Sequence, residues 1–315
     1  MRRFAIAIVL MALCLGCAPR KSKPAQAKSY HFRYVQVPMQ IPQEQHRAYL
    51  CDHYWDKFDF ADTLYTTKAD TVEMLRAYAA YVANFVGPFD QQPIRQLMQR
   101  ASASKKMFDY FGMLADKVLH DPNSPYRNDE LYIAVLESQL ASPLLDKYEK
   151  MAPEYDLRVV SQNRIGQKAN DFDYTDRKGR TRNMYSLKSD FVIVYINNPG
   201  CSMCRDITEA LKQSQIIAEL QRKGRLKVLA IYPDEQLDEW HKHFADMPSE
   251  WINGYDRGCR IERENLYNVS AIPALYLLDK EKTVLVKDST NVGEIEYILQ
   301  TENGKRKTFN LVSNE

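Results

Sequence analysis

Apolar positions recur at two different periods along this chain. Between about Tyr30 and Tyr155 the spacing is helical. Leu75, Ala79, Val82 and Val86 fall on one face, as do Phe108, Phe111, Ala115 and Val118, and then Tyr132, Leu136 and Leu140. The stretches "VGPFDQQP" and "DPNSPYRND" interrupt them, so this part predicts several helices with short connections, a bundle. Beyond "MAPEYDLRVVSQNRIGQ" the texture changes. "DFDYTDRKGRTRNMYSLK" carries Asp176, Lys178 and Gly179 between short extended runs and predicts a hairpin. "FVIVYINN" (191–198) and "LKVLAIYP" are continuous β-branched and aromatic runs suited to buried strands. Helical patterns run from Cys201 to about Gln221 and from Glu235 to Phe244. "ALYLLD" and "TVLVKD" predict a last pair of strands before a helix ending near Gln300. The fold class expected is α+β overall: a helical bundle, then an α/β domain with a mixed central sheet covered on both faces.

The first residues belong to neither unit. Arg2 and Arg3 precede an apolar run, Phe4 to Leu15, too short to span a bilayer as a stable helix, and "LCLGC" places Gly16 directly before Cys17. This resembles a bacterial lipoprotein signal, although that signal usually has Leu three residues before the cut and this chain has Cys14 there. An ordinary secretory signal cut elsewhere is the alternative. "APRKSKPAQAKSY" is basic and lacks large apolar residues before Tyr30, which suits a flexible tether near anionic headgroups. The expected organisation is a signal peptide at 1–16, a tether at 17–30, a helical domain at 31–158, an α/β domain at 159–303 and a tail at 304–315. Cys17 is the expected lipidation site. The expected location is the cell envelope, lipid-anchored to a bacterial membrane and facing the periplasm.

That compartment changes the cysteine count. Of six cysteines, Cys14 leaves with the signal and Cys17 takes the lipid, leaving Cys51, Cys201, Cys204 and Cys259. Four are too few for a fold built on disulfides. A net charge of +2 points to no nucleic-acid partner. The aromatic stretch "HYWDKFDF" and the imidazoles of His46 and His53 are expected to pack or to satisfy local hydrogen bonds. Cys51 is expected to be a buried free thiol.

Cys201 and Cys204 fall where a buried strand ends and a helix begins. A thiol at a helix N-terminus meets unpaired backbone N–H groups, which favour its thiolate. Cys201 is therefore the candidate nucleophile. Cys204 lies one turn inward, placed to attack a mixed disulfide from within, with Arg205 adding positive charge. Pro273, preceded by Ile272, opens a strand, and an Ile-Pro bond there can be cis or trans.

"GQKANDF" (166–172), "NNPGCSMC" and "AIPALYLLDK" resemble the three landmarks of thioredoxin-fold proteins of the envelope-anchored TlpA/ResA type, over about residues 160 to 302. The helical part resembles an uncharacterised domain joined to such modules in Bacteroidota lipoproteins, and brings no activity with it. The resemblance implies a thiol-disulfide oxidoreductase. Cys201 attacks, Cys204 resolves, Pro273 is the cis proline facing the dithiol, and the Ile272 backbone pairs with an extended substrate segment. The implied partners are protein thiols and disulfides of the envelope, with the membrane reached through the lipid anchor and no cofactor. Some residues depart from the family pattern. Asn170 replaces a proline, Gly200 stands where thioredoxin has Trp, and Tyr195 occupies the place of its buried Asp. In the TlpA/ResA branch a Glu after the next strand serves as proton acceptor, and Glu235 falls there; the alternative is an exposed acid at a helix start. Two other readings stay open. One is a non-catalytic thioredoxin-fold scaffold. The other is a metal site drawing on His241, His243 or Cys259, disfavoured because residues two apart on a helix diverge, so that no metal is expected.

Overall fold

The structure is a computed structural model that describes residues 29–312, with side chains described through Glu302. The expected signal, Cys17 and most of the tether lie outside the described residues. Among the described residues no helix is long and apolar enough to cross a membrane.

The first half is helical: α1 (His46–His53), α2 (Tyr65–Lys68), α3 (Thr71–Asn84), α4 (Gln92–Ala101), α5 (Lys105–Ala115), α6 (Asp129–Ala141) and α7 (Met151–Val160). Side-chain caps fix several starts. Asp70 accepts from the Val72 and Glu73 amides, Ser104 from Met107, and Asn128 from Leu131. The core centres on rings. Trp55 is 2% exposed and meets Phe32, Tyr54, Phe58, Tyr78, Tyr81 and Phe111 with centroids 5.1–6.2 Å apart. Of the expected stripe, Ala79, Val82 and Val86 are buried in this core. Met74, Ala77, Tyr78 and Tyr81 of α3 are buried there too, and Leu75 is only half-buried. His46 meets the Ile41 carbonyl and His53 meets Asp56, so both imidazoles are locally satisfied. Cys51 is free and half-buried rather than fully enclosed.

The second half is built on β1 (Asp173–Asp176), β2 (Thr181–Asn183), β3 (Phe191–Ile196), β4 (Leu226–Tyr232), β5 (Ile252–Tyr255), β6 (Ala274–Leu278) and β7 (Val284–Ser289), in the order β2-β1-β5-β4-β3-β6-β7. β3, β4 and β5 are parallel, and the remaining pairs are antiparallel. The helices are α8 (Ser202–Gln213), α9 (Gln215–Arg222), α10 (Leu237–Lys242), α11 (Arg260–Arg263) and α12 (Val292–Val312). Alternate residues of β3 serve two cores. Phe191, Ile193 and Tyr195 face Ile207, Leu211, Ile295 and Leu299, whereas Val192, Val194 and Ile196 face Phe172, Tyr267 and Tyr276. Where β5 passes β1, a Cβ on Gly254 would stand 2.9 Å from the Thr175 carbonyl oxygen, so the two backbones approach too closely for a side chain.

Two expectations change. The helix expected from Cys201 to Gln221 is broken at Ser214, whose ψ of 114° leaves the helical region and whose hydroxyl accepts from the Ile217 amide to start α9. The last helix runs to Val312 instead of ending near Gln300.

Candidate redox site

The site begins where β3 runs out. Asn197 still bonds to β4 through its amide, which donates to the Ile231 carbonyl at 3.0 Å. Gly200 then turns the chain at φ 77°, a left-handed value that glycine takes without Cβ strain. The turn delivers Cys201 to the N-cap of α8. Its Sγ accepts from the Cys204 amide at 3.3 Å, as a capping oxygen would. Cys204 lies in the first turn, 3% exposed, with its own Sγ accepting from the Asn198 amide at 3.4 Å. Both thiols are free, and Cys201 is the more open of the two. Burial pushes the Cys204 thiol well above the ordinary thiol range, the Asn198 amide opposes that, and the neighbouring Cys201 adds to it.

Tyr195 stands beneath this turn. Its hydroxyl donates to the Cys204 carbonyl at 2.6 Å and lies 3.2 Å from Thr208 Oγ1, which also donates to that carbonyl at 2.9 Å. Burial raises the Tyr195 phenol far above its usual range. The residue in the place of the family's buried acid is thus a neutral donor that pins the backbone of Cys204.

Both cysteines line a cleft of about 300 Å³, walled by Arg205 of α8, Trp240 of α10, and His243, Asp246 and Met247 beyond it. Trp240 is fixed by its indole N–H, which donates to Asn253 Oδ1 at 3.2 Å. His243 Nδ1 lies 2.5 Å from Asp246 Oδ2. Its Nε2 lies 4.0 Å from the position a Cβ on Gly200 would take. In the sequence alone His243 signals nothing beyond a candidate metal ligand. Among the described residues no three His, Cys, Asp or Glu side chains gather as metal ligands.

The Ile272–Pro273 bond is cis. Ala274 pairs with Ile196 across β6 and β3, so the proline and the dithiol share one end of the sheet. Ile272 is partly buried against the core that holds Phe172 and Tyr267. Glu235 is not brought to the dithiol. It is exposed in the connection from β4 to α10 and does not line the cleft. Burial first, and Glu235 second, raise the Cys259 thiol. Asn170 uses what a proline lacks. Its amide donates to Asn163 Oδ1 at 2.7 Å, and its side chain donates to Gln162 and to the Leu266 carbonyl.

Comparison with known proteins matches both halves. Residues 17–163 fit the family described as a domain of unknown function, DUF5106, and residues 189–284 fit the family described as thioredoxin-like. A thioredoxin-like protein from Bacteroides caccae is 45% identical, with a TM-score of 0.80 over 85% of this chain and 98% of that one. The C-terminal domain of an uncharacterized protein from Bacteroides fragilis is 47% identical over 44% of this chain and 98% of that one, with a TM-score of 0.43. Bovine nucleoredoxin is 27% identical over 110 residues, 35% of this chain. The chain spans about a quarter of the length of the curated relatives it matches.

Proposed function

The chain belongs to the thioredoxin-like proteins, and from that premise we propose that it exchanges disulfides with protein partners through Cys201 and Cys204. The observation that carries this reading is the asymmetry of the pair. One sulfur is partly open at a helix N-cap with an N–H aimed at it, and the other is buried one turn behind.

The Cys201 thiolate attacks one sulfur of a partner disulfide. A bond forms between Cys201 and that sulfur, the partner's S–S bond breaks, and the leaving thiolate takes a proton. Cys204 then gives up its proton and attacks the Cys201 sulfur, releasing the second partner sulfur as a thiol. The partner has gained two electrons and two protons, and Cys201 and Cys204 are left as a disulfide. A partner dithiol runs the same steps in reverse. Ile272, at the same end of the sheet, is the backbone proposed to pair with an extended partner segment. We place the exchange in the cell envelope on the basic, apolar and small-residue pattern of residues 1–16 and on Cys17 as the lipid anchor.

The test is a redox titration of the purified protein in dithiol/disulfide buffers, counting alkylated thiols by mass spectrometry. Cys201 and Cys204 are expected to interconvert together. Thiols that never pair, or a disulfide locked under strong reduction, would leave a non-catalytic scaffold.

A further inference from the structure

Resting on that exchange reading, we propose that His243, held by Asp246, is the group that moves the proton for Cys201. Three features of the geometry converge on it. First, a carboxylate can only accept, so the 2.5 Å contact with Asp246 Oδ2 fixes the ring hydrogen on His243 Nδ1. The neutral ring then has Nε2 as its basic nitrogen. Second, Nε2 lies 4.0 Å from where a Cβ on Gly200 would stand, beside the residue that precedes Cys201, and His243 lines the same cleft as both sulfurs. Third, the backbone helps to hold this pair together: the Asp246 amide donates to the His243 carbonyl at 3.1 Å, and both side chains line the cleft.

The role also meets a need of the site. Tyr195 is a neutral donor to the Cys204 carbonyl, and Glu235 is exposed and outside the cleft lining, so neither stands beside the dithiol to take its proton. In the first step His243 Nε2 accepts the Cys201 proton as its sulfur bonds to the partner, and returns that proton to the departing partner thiolate. No oxidant beyond the partner disulfide is required. The charged groups facing His243 are Arg205, Glu209 and Lys212 from α8, with Glu239, Lys242 and Asp246 from its own segment. An imidazole is suited to this work because its charge ordinarily changes between about pH 5 and 8.

The experiment measures the rate at which oxidised glutathione oxidises the purified, reduced protein from pH 5 to 9.5, for wild type, His243→Gln, Asp246→Asn and His241→Gln. His243→Gln is expected to react about tenfold more slowly near pH 6.5 and to lose less as pH rises, because bulk base then removes thiol protons without help from the ring. Asp246→Asn, which keeps the imidazole but loosens it, is expected to lose about threefold at the lower pH. His241→Gln should follow wild type, because His241 is not part of the cleft wall. A His243→Gln profile that overlays wild type, or a His241→Gln profile that falls equally, overturns the proposal while the exchange reading survives. If wild type forms no Cys201–Cys204 disulfide at any pH, the exchange reading has failed and this proposal falls with it. Asp246→Asn carries the test alone should His243→Gln not fold.

Discussion

Arg127 of the helical half donates to the carboxylate of Asp288 in β7, and the oxygen it meets also accepts from Asn268 Nδ2 at 3.0 Å. Asn268 in turn holds the Ser270 amide at 3.0 Å, two residues before Ile272. Lys287 reinforces the junction, with its ammonium 2.7 Å from Asp129 Oδ2. Burial pushes the Asp288 carboxyl up and Arg127 opposes it, so removing Arg127 leaves a buried acid without its partner, which is costly. Arg127→Met is expected to destabilise the protein by about 3 kcal/mol in urea titration. It should also quicken hydrogen exchange at the Ser270 amide. Unchanged exchange there would mean the helical half does not brace the loop before Pro273.

In the proposed exchange, Cys204 is the residue expected to set the pace of the second step. Because burial raises its thiol, it is protonated at neutral pH, and the attacking thiolate grows about tenfold for each pH unit gained. The mixed disulfide on Cys201 should therefore live longest at low pH, its half-life falling about tenfold between pH 6 and 7 in acid-quenched samples. Cys204→Ser should trap it, and Cys201→Ser should form none. Mass spectra of the quenched protein check both outcomes.

The redox site was legible where its signals are local. The β-branched run of β3, the dithiol after it and the proline before β6 are contiguous in sequence, and the structure sets β3 and β6 side by side. His243 was not legible, because the helical periodicity that made His241 and His243 diverge stops at Lys242. With φ −100° and ψ 12°, His243 already lies outside α10 and turns toward the cleft. Glu235 was placed by its position after β4 alone, and the connection that carries it leaves it exposed and outside the cleft lining. The contact between Arg127 and Asp288 joins residues 161 apart, and no local pattern announces such a pair.

Tyr195 offers a test of how the dithiol turn is held. Tyr195→Phe removes the hydroxyl that donates to the Cys204 carbonyl but keeps the ring, and Thr208 still donates to that carbonyl. The expected cost is about 1 kcal/mol, read as a drop of a few degrees in Tm.

The hairpin of β1 and β2 supplies a pH prediction with a definite sign. Partial burial raises the Asp176 carboxyl, but the Arg180 amide and side chain and the Lys178 amide outweigh it and bring it down to about 2. A carboxyl with a folded value below its unfolded one binds its proton late. Its contribution is therefore whole above about pH 4 and is lost as pH falls through about 2. A carboxyl titration by NMR should put the Asp176 midpoint near 2, and Arg180→Ala should move it upward.

The ring cluster decides whether the helical half is a separate structural unit. Trp55 touches six other aromatic side chains, and Trp55→Ala leaves a cavity that cannot close unless those rings move. Only α3, with Tyr78 and Tyr81, and α5, with Phe111, supply helical rings to that cluster, and the expected loss is about 3–5 kcal/mol. The dithiol sits in another core, built on β3 and roofed by α8 and α12, so its alkylation pattern across redox buffers should not change. Urea unfolding followed by circular dichroism, with thiol counting on the same samples, reads both quantities. If the Cys201–Cys204 midpoint shifts together with stability, the helical half acts on the redox site, and the route is the chain from Arg127 through Asp288 and Asn268 to the loop before Pro273.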